Sequence, residues 1–555
     1  MEELITIYCK NTNQYYDVPI GSSLLDIYKV AGEPLRLSPM NAQVNNKTED
    51  LTYRCWHPKD VEFIDITNPS GMRTYVRSLC FILSKAVYDI SPNATLNLEH
   101  SISKGYYCTI QDEKPFDEER LNAVKTRMEE IIKANVPFHL YTKQTNVVCE
   151  LFRKQGLDDK ANLVESCGQL YTSYYEMDGF VNYFYGSLVP STGYIHLFGL
   201  EPYHNGALLR VPNPANPSAL APFVNQDKMY QVYKNQLDLQ KALGMSNVGD
   251  LNKALEQGMA HDVILVSEAI QEKQISRIAE DIAARYANGV RVVLIAGPSS
   301  SGKTTTCKRL QVQLAANRLH PVGISLDDYF LNREDTPRDE SGDYDYESLY
   351  ALDLPYFNND LKRLIAGEEV ELPSFDFPSG HRVYKGNKLK LRENSIIVIE
   401  GIHGLNPELT ADIDESLKFR IYVSALTSIS LDNHNWIPTT DNRLLRRIIR
   451  DYQFRGSSAE ATIARWQSVR RGEDKWIFPY QENADVMFNS AMLYELAALR
   501  AYSEPILSNV PENSPSYSEA YRLLRFLRYF KYIPKDELPK TSLLCEFLGG
   551  GTFKY

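Results

Sequence analysis

The stretch VRVVLIAGPSSSGKTTT at residues 290–306 constrains the fold of this chain more than any other segment. An apolar run that leads into GPSSSGKT and then into a helix-forming stretch predicts a buried strand, a glycine-rich turn and a helix. Glycines let backbone N–H groups surround phosphate oxygens, and the positive end of the following helix attracts the same anion. A chance glycine- and serine-rich turn is the alternative, and the flanking strand and helix disfavour it.

The side chains of this turn have separate expected roles. Lys303 is expected to bridge the outer phosphates of a nucleoside triphosphate, and the Thr304 hydroxyl is expected to hold Mg²⁺. The remaining residues are expected to contact the phosphates and are Gly297, Pro298, Ser299, Ser300, Ser301, Gly302 and Thr305.

Two further apolar segments end in acids. SIIVIE predicts a buried strand ending at Glu400, and PVGISLDD predicts one ending at Asp327 and Asp328. Ligands bind outside the carboxyl ends of strands in open α/β sheets, so Glu400 is expected to reach a metal ion directly or through water. Transfer of phosphate to a hydroxyl needs a carboxylate that accepts its proton, which suits Asp327 or Asp328. For Asp327 and Asp328 the alternatives are a metal-linked role and a helix N-cap. For Glu400 the alternative is an ordinary strand-end carboxylate that faces solvent.

The segment TTDNRLLRRIIRDYQFRGSS contains a row of arginines. On a helix, four of them line one face, and such a row is expected to stay out of the core and to neutralise charge on a transferred phosphoryl group. Arg455 and Gly456 are expected to open a mobile lid that excludes water on closure. A solvated basic face is the alternative. The four arginines are Arg443, Arg446, Arg447 and Arg450.

Composition narrows the class of protein. The formal net charge of −11 argues against a general phosphate-tracking nucleic-acid binder. Eight scattered cysteines without a CxxC pair favour free thiols in a reducing compartment. The first residues lack the basic and apolar regions of a signal peptide, and no apolar run approaches the ~18 residues of a membrane span. We therefore expect a cytoplasmic protein.

Changes in pattern along the chain predict five parts. The first combines short strands with one helix, and the second contains amphipathic helices near 73–87 and 118–134. The last ends in a glycine run that is expected to form a turn against the catalytic domain. The predicted parts are a β-grasp-like module (1–66), an α+β domain (67–225), a helical connector (226–289), a phosphate-loop catalytic domain (290–500) and a helical extension (501–555).

Residues 290–500 resemble the uridine–cytidine kinase branch of the phosphoribulokinase/uridine kinase family, and the whole chain resembles its long bacterial members. The matching stretches are AGPSSSGKTT, SLDDYF, LPSFDF, IIVIEGIHGLN and DNRLLRRIIRD. The resemblance implies an α/β fold, in which a phosphate-loop NTPase-type parallel sheet is flanked by helices.

The resemblance also implies roles for single residues. Asp327 corresponds to the general base, Glu400 to the Mg²⁺-associated acid, and Asp353 to the acid that holds the ribose hydroxyls. The residues expected near the nucleoside or the phosphates are Phe375, Phe377, Arg447, Arg450 and the lid residue Arg455. The chain departs from the family at several nucleoside-binding positions, and Ser457 and Arg465 stand where an arginine and a glutamine contact the pyrimidine. Phe330 replaces a tyrosine, and Gly380 replaces a base-reading histidine, with His381 one position away.

The N-terminal third resembles threonyl-tRNA synthetase, with a TGS module over 1–66 and an editing-type domain over about 67–225. KPFDEERLNAVKTRMEEIIK and VPSTGYI carry this resemblance. None of the corresponding positions offers an imidazole or thiolate ligand, so the chain does not support an editing or zinc site there. These positions are Arg77, Phe81, Phe184 and Leu188.

The resulting hypothesis is an ATP-dependent (or GTP-dependent) nucleoside kinase that uses Mg²⁺. Uridine or cytidine is the first expected acceptor, phosphorylated at its 5′-hydroxyl in pyrimidine salvage. A kinase for another nucleoside or a sugar-like alcohol is one alternative, and a nucleotide-sensing regulator associated with RNA or the ribosome is another. Any nucleic-acid binding is expected to involve the N-terminal domains. The sequence does not decide whether the protein forms a homo-oligomer.

Overall fold

The N-terminal part is a five-stranded mixed sheet with one helix. The structure is a computed structural model that describes residues 3–114, 116–339 and 342–554. Alternate residues of the first strand are buried, as period-two patterning requires, and a capping box between Ser23 and Asp26 starts the helix. The strand order is β2-β1-β7-β4-β5. The elements are β1 (Leu4–Cys9), β2 (Gln14–Pro19), β3 (Ser22–Ser23), α1 (Leu24–Val30), β4 (Asn41–Val44), β5 (Lys47–Glu49), β6 (Arg54–Cys55) and β7 (Lys59–Ile64).

The second part is α+β, as predicted. The helix predicted near 118–134 spans Glu118–Ala134 and buries Leu121, Val124, Met128 and Ile131 on one stripe. The strands form one sheet of order β13-β14-β9-β8 and another of order β10-β11-β12. The elements are α2 (Pro69–Ile90), β8 (Thr95–Ile102), β9 (Gly105–Gln111), α3 (Glu118–Ala134), β10 (His139–Gln144), α4 (Thr145–Lys154), α5 (Asp158–Ser166), β11 (Tyr171–Met177), β12 (Phe180–Asn182), β13 (Gly199–Tyr203), β14 (Gly206–Arg210), β15 (Pro212–Asn213) and β16 (Asn216–Leu220).

Aromatic and aliphatic side chains occupy the positions that correspond to the editing-site ligands. The rings of Phe81 and Phe184 lie 5.7 Å apart, and both residues and Leu188 are buried in one core. Arg77 donates from Nε to the carbonyl of Ser187. The side chains at these positions therefore stabilise the folded domain.

Three helices lead to the central sheet: α6 (Asp227–Ala242), α7 (Val248–Glu256) and α8 (Ala260–Tyr286). The apolar face of α8 packs on that sheet and shares a core with Val293 and Leu310. The helical connector thus adds one helix to the layer that covers the sheet, while the domain boundaries themselves stay predictions.

The central sheet has five parallel strands in the order β18-β23-β17-β24-β25 and is flanked by helices, which confirms the predicted α/β class. Its inner strand β17 is buried throughout, which explains the continuous apolar run in the sequence. The elements are β17 (Val292–Ala296), α9 (Lys303–Ala316), β18 (His320–Ser325), α10 (Leu354–Ile365), β19 (Val370–Glu371), β20 (Ser374–Asp376), β21 (His381–Val383), β22 (Lys388–Leu389), β23 (Ser395–Glu400), β24 (Lys418–Ser424), α11 (Thr439–Phe454), α12 (Ala459–Trp476), β25 (Val486–Asn489) and α13 (Glu495–Ser508).

The last helices, α14 (Tyr517–Leu527) and α15 (Cys545–Leu548), complete the largest core together with α11 and α13. A fully buried ion pair of 2.7 Å between Lys160 and Asp432 joins the α+β part to the parallel-sheet part. None of the helices in the described residues has both the length and the apolar character needed to cross a membrane.

Candidate active site

The loop between β17 and α9 turns tightly around its own backbone. A Cβ atom on Gly297 would lie 1.9 Å from the carbonyl oxygen of Val423, so only glycine fits at the start of the turn. Gly302 has a φ of +84°, which favours glycine at its end. Lys303 opens α9, and its ammonium group donates to the carbonyl of Pro298 at 3.1 Å. Strand, loop and helix therefore follow in the order that the sequence predicts.

Two buried arginines of α11 donate hydrogen bonds to backbone carbonyls of this loop. Arg443 donates to the carbonyl of Ser299 and Arg446 to that of Ser300, at 3.1 and 3.3 Å. Arg443 is 1% exposed and Arg446 is fully buried. The prediction that the arginine row stays out of the core is wrong for these two, because Glu473 and Glu495 neutralise them inside it.

The other three predicted arginines gather around Asp451. Arg447 contacts Asp451 at 3.3 Å and donates to the hydroxyl of Ser299 at 2.7 Å. Arg450 donates to the same carboxylate, and Arg455 lies 3.6 Å from it while 56% exposed. These guanidinium groups border the loop and are less buried than Arg443 and Arg446.

The register of the sheet brings the strand-end acids to the loop. Glu400 at the end of β23 pairs with Ser325 of β18 and Ile295 of β17, so three strands end level with one another. Asp327 follows in a short 3-10 helix, Leu326–Tyr329. The hydroxyl of Thr304 donates to Glu400 Oε1 at 3.2 Å. Lys303, Asp327 and Glu400 thus face one cleft, and their charges influence one another.

The protonation of these groups reflects their enclosure. Burial raises the pKa of Glu400 to about 7, and nearby Asp327 adds to this while Lys303 opposes it. Asp327 is accessible from the cleft, but the surrounding walls desolvate it and raise its pKa, against the effect of Lys303 and Arg455. Burial lowers the pKa of Lys303, and the two acids offset part of that effect.

The chemistry of this cleft fits Mg²⁺. Mg²⁺ prefers oxygen ligands, keeps several waters and is usually bound by one or two protein side chains together with substrate phosphates. Thr304 and Glu400 supply a hydroxyl and a carboxylate in mutual contact. Within the described ranges, no group of three or more His, Cys, Asp or Glu residues is arranged to hold a metal ion by itself.

Three aromatic residues cluster next to the short 3-10 helix that contains Asp327. The ring of Phe330 lies 5.6 Å from that of Phe375 and 6.4 Å from that of Phe377. Phe375 belongs to a hairpin of β20 and β21, in which Asp376 pairs with His381. Phe377 is 59% exposed, and His381 is also exposed, so both are available to a ligand on this side.

Asp328 faces this hairpin. Its Oδ1 accepts the backbone N–H of Phe375 at 3.1 Å, which engages this carboxylate with the hairpin. Of the two candidate bases, Asp327 is among the groups with the largest influence on the pKa of Lys303. The geometry therefore favours Asp327 as the acid of the phosphate-loop cleft.

Comparison with known proteins agrees with this arrangement. Residues 292–496 match the sequence profile of the Phosphoribulokinase / Uridine kinase family. The chain carries a kinase domain of this family.

Relatives match different parts of the chain. A uridine kinase of Halobacterium salinarum is 27% identical over 195 residues, which are 35% of this chain and 77% of that protein. A threonine–tRNA ligase of Fusobacterium nucleatum is 29% identical over 180 residues, and the chain spans only 29% of its length. A solved structure of a possible uridine kinase from Bacillus stearothermophilus is 21% identical, covers 39% of this chain and 98% of its own, and gives a TM-score of 0.27.

Asp353, the acid predicted to hold a ribose, also has partners within this domain. Oδ1 of Asp353 accepts the backbone N–H of Tyr356 and caps α10, while Oδ2 pairs with Arg382 at 3.1 Å. Arg382 also donates to the carbonyl of Phe330. Asp353 thus fixes the backbone behind the aromatic cluster, which is a structural task that sequence spacing did not indicate.

Glu347 is a buried acid, influenced by the charges of Lys303 and Arg447, that the sequence analysis missed. Its Oε2 atom is buried and has no hydrogen-bond partner among the described residues. Burial and the charge of Glu473 raise the pKa of Glu347 to about 7, while Arg447 and Lys303 oppose the rise. No motif marks Glu347, because it lies in a loop whose position depends on contact with Gly472 of α12.

Glu546 is a second residue that the sequence analysis missed, and it contacts Thr305. The backbone N–H and the hydroxyl of Thr305 both donate to Oε2 of Glu546, at 3.1 and 2.6 Å. Glu546 lies in α15, next to the glycine run, so the last helix reaches the phosphate loop of the kinase domain.

Proposed function

We propose that this protein is a nucleoside kinase that transfers the γ-phosphate of ATP to a nucleoside 5′-hydroxyl. The observation that carries the proposal is the sheet edge at which Glu400 contacts Thr304 of the phosphate loop at 3.2 Å and Asp327 follows the neighbouring strand β18. A nucleotide sensor needs no carboxylate for an acceptor, whereas a kinase does. The family profile and the uridine kinase relatives support the same reaction class.

The donor side of the reaction follows from the loop. Backbone N–H groups of the turn and the first turn of α9 bind phosphate oxygens, and Lys303 neutralises the outer phosphates. Thr304 and Glu400 would hold Mg²⁺, which neutralises charge on the phosphates during transfer. Arg447, Arg450 and Arg455 border the same region and stabilise the charge of the transferred group.

The acceptor side follows from the acids and the aromatic cluster. We assign Asp327 as the general base that takes the proton of the 5′-hydroxyl as its oxygen bonds to phosphorus. The bond between phosphorus and the bridging oxygen of the β-phosphate then breaks, and the diphosphate leaves. We assign Glu347 as the acid that accepts hydrogen bonds from the acceptor's other hydroxyls, because its Oε2 has no partner among the described residues and Lys303 and Arg447 influence its pKa, whereas Asp353 already caps α10 and pairs with Arg382.

Phe377 offers exposed aromatic surface to a base, and the buried rings of Phe330 and Phe375 support it from the core. Uridine and cytidine are the first acceptors to test, because the relatives named uridine kinase match this domain.

The deciding experiment is an acceptor panel with ATP or GTP as donor and product identification by mass. It includes uridine, cytidine, purine nucleosides and free sugars. A nucleoside 5′-monophosphate formed by the wild type and lost in Asp327→Asn supports the proposal. Turnover of a sugar alone would move the protein to another acceptor class, and no turnover with any acceptor would contradict a kinase function.

A further inference from the structure

The segment 542–548 lies against the phosphate loop although more than 200 residues separate the two in sequence. A Cβ atom on Gly302 would come within 2.8 Å of the Leu543 side chain, so this leucine packs directly on the loop. Leu544, Phe547 and Leu548 are buried in the largest core, and the Arg446 guanidinium lies 5.0 Å above the ring of Phe547. The backbone of this segment is therefore firmly anchored beside the loop.

Anchoring of its neighbours directs Glu546 to the start of α9. Gly302 cannot cap this helix with a side chain, and no cap contact from it exists. Oε2 of Glu546 instead accepts both the backbone N–H and the hydroxyl of Thr305. The contact satisfies one of the first-turn N–H groups that a helix cannot bond internally.

The same position serves phosphate in the proposed reaction. First-turn N–H groups of the helix after a phosphate loop donate to phosphate oxygens. One N–H cannot fully donate to a carboxylate and a phosphate at once, and the two anions repel each other at contact distance. The charge of Glu546 also reaches this region, where it opposes the lowering of the Lys303 pKa and adds to the rise of the Glu400 pKa.

We propose that Glu546 is an internal competitor of the nucleotide, which occupies a phosphate-binding position of the loop and lowers the affinity for the donor. The inference rests on the proposed function, because it regulates the same site. Release requires only rotation of the Glu546 side chain, since the residues around it are held in the core. The competing interpretation is a purely structural cap of α9.

Two substitutions separate these interpretations. Glu546→Gln keeps a carbonyl oxygen that can still accept the N–H of Thr305 but removes the negative charge. Glu546→Ala removes both. Glu537→Gln makes the same charge change at an exposed position of the same part of the chain and serves as the control.

The measurement is the equilibrium Kd of Mg-ATP and of inorganic triphosphate for the intact chain, together with Tm. We expect about tenfold tighter binding of both ligands by Glu546→Gln and Glu546→Ala, as for a site whose competent state is about one-tenth populated, and no change in Glu537→Gln. Nucleoside affinity should stay the same.

Unchanged or weaker binding of either ligand by both Glu546 variants overturns the proposal, including the case in which no variant binds ATP. A lower Tm of Glu546→Ala with unchanged Kd would establish the structural cap instead. Because these readouts are binding constants, they are independent of the acceptor panel. Tighter ATP binding without any accepted nucleoside would leave the competitor in place and reject the kinase assignment.

Discussion

Arg443 and Glu473 clamp one residue of the phosphate loop from both sides. Nη2 of Arg443 lies 2.7 Å from Oε2 of Glu473, and both side chains are buried. Arg443 donates to the carbonyl of Ser299 at 3.1 Å, and Glu473 accepts the backbone N–H of the same residue at 3.1 Å. The conformation of the loop thus depends on an ion pair from α11 and α12 as well as on its glycines.

The first prediction concerns this pair. Removal of one partner leaves a buried, uncompensated charge, so Arg443→Met or Glu473→Gln should lower the free energy of unfolding by about 3–5 kcal/mol. Urea denaturation measures this effect. Asp474→Asn, which changes the 66% exposed neighbour of Glu473, is the control and should change stability by less than about 0.5 kcal/mol. If Arg443→Met and Glu473→Gln were as stable as Asp474→Asn, the buried ion pair would not stabilise the protein.

The second prediction separates the two candidate bases. Asp327→Asn should reduce kcat by about 10²–10⁴-fold, because it removes the proton acceptor for the 5′-hydroxyl. Asp328→Asn should have a much smaller effect, since that carboxylate faces the backbone of Phe375. Steady-state kinetics with saturating ATP would show the difference. The assignment of the base fails if Asp328→Asn is the more damaging change.

The third prediction separates the two candidate acids for acceptor binding. Loss of hydrogen bonds to a charged group costs about 1.5–3 kcal/mol, so Glu347→Gln should raise the acceptor KM by roughly 10–100-fold. Asp353→Ala should instead lower the free energy of unfolding by about 1 kcal/mol or more, through loss of the cap of α10. Kinetics and urea denaturation of both variants test this split. A KM effect confined to Asp353→Ala would instead assign acceptor binding to Asp353, as the sequence predicts.

The fourth prediction is a pH dependence of stability at the contact between the N-terminal module and α14. Burial and nearby Asp50 raise the pKa of Glu49 to about 7, while Arg525 opposes the rise. The folded state therefore holds this proton more tightly than the unfolded chain, so the group's stabilising effect is full below about pH 4.5 and is lost as the pH rises to about 7.

Glu49→Gln tests this pH dependence. Its free energy of unfolding relative to the wild type should rise by on the order of 2 kcal/mol between pH 5 and pH 8. Denaturation at several pH values gives this difference, and the exposed Glu3→Gln provides the reference. A difference that does not vary with pH would show that Glu49 titrates normally.

Short-range sequence patterns were sufficient to predict the strand, loop and helix at the phosphate loop. The strand β17, the loop and α9 were predictable because their signals lie within a few residues of one another. The acids Asp327 and Glu400 were predictable for a related reason, since parallel strands of a sheet end at one edge. The helix at 118–134 was predictable from its apolar stripe alone.

The partners of single side chains were not predictable in this way. Arg443 and Arg446 have the same sequence pattern as Arg447 and Arg450, but only the first two meet buried glutamates from other helices. Asp353 has the spacing expected of a ribose-binding acid, but it forms an ion pair with Arg382. Glu347, whose buried oxygen has no partner among the described residues, belongs to no recognisable sequence motif.

The amino-acid sequence by itself determined the phosphate loop, the strands around it and the residue types that chemistry requires there, because these follow from short-range patterning. Only the tertiary structure decided which charges are neutralised in the core, which acid is free in the cleft, and that Glu546 reaches Thr305. Each of those outcomes depends on contacts between residues from 30 to 241 positions apart, whose side chains meet only after the elements have packed.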